Sequence, residues 1–142
     1  TRWIATNSQK LNLRFKQSPA VVDILPSIFN HLKVSIPDEV DNEIDGVPFI
    51  GAIDLADPKP EKNGRTITLR WKSFSQNKAD KAEIYVSEVN GFKQGEPEEY
   101  KRKGEVLLHE ESFTFAIEKD SPFLKILLKG PHHYANVWIV TE

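Results

Sequence analysis

The feature that most constrains this chain is a two-residue alternation of apolar and polar side chains that recurs from its middle to its end. The segment "RTITLRW" sets Ile67, Leu69 and Trp71 on one side and Thr66, Thr68 and Arg70 on the other. Successive side chains of a β-strand point to opposite faces, so such a segment can bury one face and wet the other. "KAEIYVS" repeats the pattern, with Ala82, Ile84 and Val86 opposite Glu83, Tyr85 and Ser87. "SFTFAI" supplies Phe113, Phe115 and Ile117, and "FLKILLK" supplies Leu124, Ile126 and Leu128. Shorter candidates run over Ile53 to Ala56, Val106 to Leu108 and Val137 to Val140, and turn signals such as "KNG" at Lys62, "VNG" at Val89 and "KGP" at Lys129 divide the set. About seven short strands at this spacing predict a seven-stranded antiparallel β-sandwich.

Upstream, the period changes to that of a helix. In "VDILPSIFNHLKVSIP", Val22 to Pro37, the residues Ile24, Leu25, Ile28, Phe29 and Leu32 form one broad apolar face that something must cover. Pro26 would break a helix interior, but with Asp23 as N-cap it stands in the first turn, where its missing N–H has no partner to lose. Ser18 and Pro19 make a second N-cap and first-residue pair, so an earlier turn over Pro19 to Val22 is expected, the two starts joining as one kinked helix. Ahead of it, Trp3 to Thr6 reads as a short strand and "NSQK" as a polar turn, and "LNLRF" alternates briefly and stops. Behind it, "KVSIPDEVDNEIDGVPF" is an acidic, proline-bearing connection that ends in the turn pair Asp45 and Gly46. The domain boundary falls near Gly51.

The 142 residues fit one ordinary domain, or a small domain carrying a piece of another. Apolar residues at 39%, with three Trp, three Tyr and eight Phe, suffice for a core and argue against disorder. The net charge of −2 arises from 19 Lys and Arg scattered among 21 Asp and Glu, so no basic stripe is present and nucleic acid is not the expected partner. No apolar run approaches the roughly 20 residues that span a bilayer as a helix, and no signal peptide or lipidation motif is evident. With no cysteine, disulfides, thiolate nucleophiles and Cys-ligated zinc are excluded. The absence of methionine, and a start at "TRWIATN" that reads as the middle of a strand, point to a fragment.

Candidate chemistry is sparse. His132 and His133 are neighbours in "GPHHYAN", and neighbouring residues of an extended segment point apart, so a loop between the last two strands is expected and not a shared metal. His31 stands near the helix end, where a cation suits the dipole, and His109 beside Glu110 and Glu111 reads as a hairpin residue. "DNEIDG", Asp41 to Gly46, has carboxylates at alternate positions before a glycine. As a calcium loop it fails, because Glu43 stands at the third position and Ala52 at the twelfth, and a solvated acidic turn is expected. Glu98 with Glu99, and Glu110 with Glu111, are sequence neighbours on polar segments, which does not make them converge on a cleft. Tyr85, Tyr100 and Tyr134 could stack on a sugar, though each suits an ordinary cross-strand position. No phosphate-binding glycine loop, nucleophile elbow or H-E-x-x-H is present. No catalytic, cofactor-binding or metal-ligating residue is therefore assigned.

The stretch "PAVVDILPSIFNHLKVSIPDEVDNEIDGVPF" resembles the C-terminal end of the catalytic domain in the alkaline phosphatase superfamily, the group of sulfatases, nucleotide pyrophosphatases and phosphodiesterases. The likeness is carried by Val22, Asp23, Ile24, Pro26, Ser27, Ile28 and Leu32, with Asp45, Gly46 and Pro48 as the closing turn and "RWIATN" as the strand ahead. Lys33 departs from the family, which has a glycine after this helix. The family's metal-binding Asp and His residues and its Thr or Ser nucleophile lie upstream of this motif and match no residue here. The second part resembles a fibronectin type III or immunoglobulin-like module, with "ITLRW", "AEIYVSEVNGF" and "FLKILLKGPHHYANVWIV" as its second, third and last two strands. Such modules are tails on secreted bacterial hydrolases.

Together the resemblances imply a mainly β chain: residues 1–50 a strand–helix remnant of an α/β domain, residues 51–142 a fibronectin III-like sandwich. They imply the non-catalytic C-terminal portion of a secreted, extracytoplasmic phosphodiesterase, phosphatase or sulfatase-like enzyme. Its divalent, zinc-like metal and its reaction would belong to the upstream catalytic domain, the chain's first partner. The competing expectation is a carbohydrate- or protein-binding module of a cell-surface or glycoside hydrolase protein.

Overall fold

The computed structural model describes residues 4–17 and 19–141. Seven strands run through it: β1 (Leu55–Asn63), β2 (Thr66–Ser73), β3 (Lys81–Ser87), β4 (Lys101–Leu107), β5 (Ser112–Ala116), β6 (Phe123–Lys129) and β7 (Tyr134–Val140). All their pairings are antiparallel, in one sheet of order β1-β2-β5 and a second of order β4-β3-β6-β7. The protein is thus mainly β, a seven-stranded antiparallel sandwich.

The alternating residues make the core between the sheets. Ile67, Leu69 and Trp71 from β2 pack with Phe115 and Ile117 against Ala82, Ile84, Val86, Leu124, Ile126, Leu128 and Ala135. Each strand therefore supplies one face to a single apolar layer. Trp71 keeps its one polar atom satisfied by donating from Nε1 to the Leu108 carbonyl at 2.9 Å.

Two strands run further than the apolar pattern indicates. β1 continues through Pro58 and Pro60 because it is an edge strand, where a missing N–H removes no ladder bond, and a register shift between Ala56 and Lys59 carries Asp57 at φ 53. β4 begins at Lys101 in the charged run "KRKGE", which suits an edge that must not pair with another chain.

β6 departs from alternation in the opposite direction. Lys125 and Leu127, on the face away from the core, are as buried as Leu124 and Ile126. The covering is the connection that contains α3 (Asp38–Asp41) and continues to Ile44. Asn136 on β7 donates to the carbonyls of Asn42 and Ile44 at 3.2 and 3.0 Å, and Lys125 pairs with Glu43.

The N-terminal segment forms α1 (Leu13–Lys16) and α2 (Ile24–Leu32), the latter continuous with a 3-10 turn over Val21–Asp23. Leu11 bridges Ile50, and Asn12 N and Gly51 N bond to Phe49 O and Lys10 O, each at 3.0 Å. The strand expected over Trp3 to Thr6 is not present at Ile4 to Thr6. Its start at Trp3, and the Ser18 N-cap, lie outside the described residues. α2 ends in a Schellman closure, with Val34 N bonded to Phe29 O at 3.0 Å and Lys33 at φ 54. Lys33 thus adopts the left-handed cap that the resemblance associates with glycine.

Candidate functional site

Asp54 stands just ahead of β1 and is buried. The β6–β7 connection, Gly130 to His133, wraps around its carboxylate. Oδ2 accepts from the His132 and His133 backbone N–H groups at 2.6 and 3.1 Å, and Oδ1 lies 2.7 Å from His132 Nδ1. Asp54 in turn donates its backbone N–H to His133 Nδ1 at 3.1 Å. Gly130 permits the wrap, because a Cβ there would sit 2.6 Å from Asp54 Oδ2.

Burial alone would raise the Asp54 pKa, but the hydrogen bonds from His133 and His132 outweigh it and hold the carboxyl down at about 2. The same bond to Asp54 raises His132 above its ordinary value, against a smaller opposing effect of burial. His133 accepts at Nδ1, which places its proton on Nε2, and that atom is buried with no partner among the described residues. Asp41 approaches the same region from α3; burial raises its pKa, and His133 and Lys129 partly offset the rise. The two histidines therefore occupy the expected loop, but both rings turn to Asp54 instead of pointing apart, His132 to its carboxylate and His133 to its backbone N–H.

Beside this cluster lies a cavity of about 460 Å³, with apolar walls that include Leu11, Leu13, Phe15, Ile53 and Phe74. His132 reaches its mouth, half exposed, with Nδ1 committed to Asp54. A buried carboxylate that fixes the tautomer and orientation of an imidazole is the arrangement used to position a proton acceptor or a pH-dependent donor. Among the described residues, no Ser, Thr or Lys side chain is hydrogen-bonded to that imidazole.

The tyrosines are engaged elsewhere. Tyr85 and Tyr134 flank the Lys129 ammonium, their ring centroids 5.2 and 4.8 Å away, and Tyr100 donates to Glu43 at 3.1 Å. Burial and then the Glu43 charge raise the Tyr100 pKa. The acidic turn is accordingly not a solvated one: Glu43 is held by Lys125 and Tyr100, and Asp38 lies 3.7 Å from Lys129. His109 sits 3.6 Å from Glu110 in a turn between β4 and β5, which belong to different sheets, so it marks a crossover and not a hairpin. His31 is exposed in the last turn of α2. Glu98 bonds to Ser87 Oγ at 2.7 Å, and Glu99 is exposed.

The helix motif builds a joint. Asp23 is buried, yet its side chain does not cap α2; it accepts from Ala20 N and Val47 N, each at 2.8 Å, and from Arg14 Nε at 3.2 Å. Ser27 donates to the Asp23 carbonyl at 2.6 Å and accepts from Phe49 N at 2.8 Å, and Asn30 donates to Ile50 O at 2.9 Å. Gly46 is required because a Cβ would lie 2.0 Å from the Val22 carbonyl oxygen. The docked side of α2 is thus largely small and polar, with Pro26 buried among it; of the expected apolar face, Ile24 and Phe29 are half-buried and Leu25, Ile28 and Leu32 are exposed, as are Val21 and Val22 in the turn ahead.

Among the described residues, no group of three or more His, Asp or Glu side chains is placed to hold a metal ion, and no helix is long and apolar enough to cross a membrane. The missed signal at Asp54 was a lone acid in "AIDLA", where an apolar context called for a partner elsewhere in the chain. No protein-family model matches the chain, and neither a curated protein nor a solved structure does.

Proposed function

We propose that this chain is the non-catalytic C-terminal portion of a secreted, metal-dependent phosphoric or sulfuric ester hydrolase of the alkaline phosphatase type. In this reading α2 completes an upstream α/β domain, and the sandwich is a firmly attached accessory that orients the enzyme or meets its substrate. The observation that carries it is the inverted docking of α2, which buries Asp23 and Ser27 and leaves Leu25, Ile28 and Leu32 open. An amphipathic helix gains stability by covering its apolar face, so this one is built for a surface that the sandwich does not supply.

Two further features support the reading. Of the residues that carry the resemblance, Asp23, Pro26, Ser27, Gly46 and Pro48 are buried at the one joint between α2 and the chain leading into β1, while Val22, Ile28, Leu32 and Asp45 are exposed. The connection from Asp38 to Ile44 is fastened to the outer face of the β4-β3-β6-β7 sheet, so anything that grips α2 is held in a fixed orientation to the sandwich. The divalent metal, and the in-line attack it would support, belong to the upstream domain, and no residue described here is assigned to either.

The test compares this chain with a longer product that includes the upstream coding region. Bis-(4-nitrophenyl) phosphate, 4-nitrophenyl phosphate and 4-nitrophenyl sulfate serve as substrates. The longer product should turn over at least one of them and lose that activity to a chelator, and α2 amides should exchange more slowly in it than in this chain. An upstream region without an Asp and His cluster and a Thr or Ser nucleophile, or unchanged α2 exchange, would refute the proposal.

A further inference from the structure

The pair asparagine then glycine occurs twice, as Asn63-Gly64 and Asn90-Gly91, and neither turn has a part in the proposed function. The pair carries a latent chemistry. The backbone nitrogen after an asparagine can attack the side-chain carbonyl carbon, and glycine has no Cβ to obstruct the approach. The bond from that nitrogen to Cγ forms and the bond from Cγ to the amide NH2 breaks. Ammonia leaves, taking the proton of the attacking N–H, and a five-membered succinimide remains. One water then opens either imide carbonyl, which gives an aspartyl or an isoaspartyl residue with no oxidant or reductant consumed. Every other asparagine of the chain is followed by a residue that carries a side chain.

The fold treats the two pairs differently. Asn63 ends β1, and Gly64, at φ 58, opens the short turn that leads into β2 at Thr66. Both residues are exposed, and a Cβ built on Gly64 would meet nothing within 4 Å. Lys62 and Arg65 on either side are engaged by Asp120 and the Glu118 carbonyl, but the Asn63 side chain enters no hydrogen bond among the described residues. Only the pair Asn63 with Thr66 lies beyond Lys62 with Ile67, so the tip opens at the cost of one ladder step. Asn90 is held instead. Its Oδ1 accepts from Lys93 N at 3.3 Å, in the 3-10 turn Phe92–Gln94. Gly91 is buried, its carbonyl accepts from Gln94 N and Glu96 N at 2.8 and 3.0 Å, and a Cβ there would sit 2.7 Å from Pro97 O. Glycine at position 91 thus answers to packing, and attack on Asn90 would first have to break its bond to Lys93.

We infer that Asn63 is a site of spontaneous deamidation, through a succinimide shared with Gly64, and that Asn90 keeps its amide in the folded chain. The product changes the hairpin tip in two ways. A new carboxylate stands between Lys62 and Arg65 in the sequence. In the isoaspartyl form the main chain also runs through Cβ, which adds one backbone atom to a turn whose length sets the register of β1 on β2. The pair Asn63 with Thr66 is then lost, while the buried side chains of Ile67 and Leu69 stay in the core. The inference is independent of the proposed hydrolase, because both reacting groups lie in this hairpin.

The test incubates the folded chain at mildly alkaline pH beside the same chain in concentrated guanidinium chloride. Peptide mass spectrometry with electron-transfer fragmentation locates each amide turned into an acid and separates isoaspartyl from aspartyl products. In the folded chain Asn63 should convert to both forms at least about tenfold faster than Asn90, which has to open locally before it can react. In guanidinium chloride the two sites should convert at similar rates, since each is then an unrestrained Asn-Gly pair. Asn63→Gln, at an exposed position, should abolish the product there, because its longer side chain would have to close a larger ring. Asn90 converting as fast as Asn63 in the folded chain would overturn the inference. So would an Asn63 that stays intact when folded but reacts in guanidinium chloride, or an aspartyl product with no isoaspartyl form. Failure here leaves the docking of α2 untouched, since that reading is tested by exchange in the longer product.

Discussion

The sandwich and the helical segment ahead of it use their side chains in opposite ways. In the sandwich, Ile67, Leu69 and Ile84 are fully buried and the polar partners of each strand face out. In α2, Leu25, Ile28 and Leu32 are 52%, 46% and 62% exposed, while Asp23 and Ser27 are 1% exposed. The first region is held by area removed from water, at about 25 cal/mol per Å², and tolerates imprecise geometry. The second is held by directed bonds to Val47, Phe49 and Ile50, and each depends on one atom being in place. A region that leaves much of its apolar face open while fixing its polar side is what the proposed docking on an upstream domain requires.

The largest effects should separate the two modes. Asp23→Ala removes the carboxylate that Arg14, Ala20 N and Val47 N share; Arg14 keeps Asp57 at 3.1 Å, but the buried Val47 N–H is left without its acceptor, which costs about 1–3 kcal/mol. Hydrogen exchange should then lose protection over residues 20–50 while β2, β3 and β6 keep theirs. Leu69→Ala should do the reverse, lowering global stability by about 2–5 kcal/mol in urea titrations through a cavity in the shared apolar layer. If Asp23→Ala exposed the sandwich amides equally, the two regions would be one cooperative unit and the contrast would fail.

The same contrast explains what the sequence discloses. Alternation in "TITLRW", "AEIYV" and "FLKILL" shows the core face directly, because each residue's side follows from the pleat alone. The strand ends at Pro58, Pro60 and Lys101 were hidden, since edge position is a property of the whole sheet and not of the segment. Burial of Lys125 was equally hidden, because it arises from a connection 82 residues away in sequence. In α2 the apolar stripe was legible, but the polar docking beside it was not, because Asp23 and Ser27 bind backbone groups that no periodicity encodes. The site around Asp54 joins residues separated by 78 and 79 positions, a distance across which composition and spacing carry no signal.

A mid-sized effect concerns that long-range polar tie. Asp54 has its pKa lowered from 3.8 to about 2, so its contribution of about 2 kcal/mol is complete above roughly pH 4 and is lost as pH falls through 2. His132 has its pKa raised above 6.5, so its share is complete below that value and is lost as pH rises through the folded pKa. Both describe one interaction, which is therefore strongest between about pH 4 and 6.5. Urea midpoints should fall on either side of that window, and His132→Gln should remove the alkaline limb and make the acid limb shallower, leaving the part that His133 and the backbone N–H groups of His132 and His133 sustain. An unchanged alkaline limb in that variant would assign the tie to the backbone alone.

The smallest predicted effect bears hardest on the contrast. Leu25→Ser and Leu32→Lys alter side chains that are more than half exposed, so each should change stability by no more than about 0.5 kcal/mol. Lys at position 32 also meets the negative end of the helix dipole, which offsets part of the lost contact. Leu69→Ala removes a side chain of the same type and should cost several times more, although by composition alone the two leucines are indistinguishable. The apolar face of α2 would thus be nearly silent for the fold of this chain and critical only where another surface covers it. A loss above about 1 kcal/mol for Leu25→Ser would mean that the sandwich side already depends on that face, and α2 would then be a finished part of this fold with nothing left to dock.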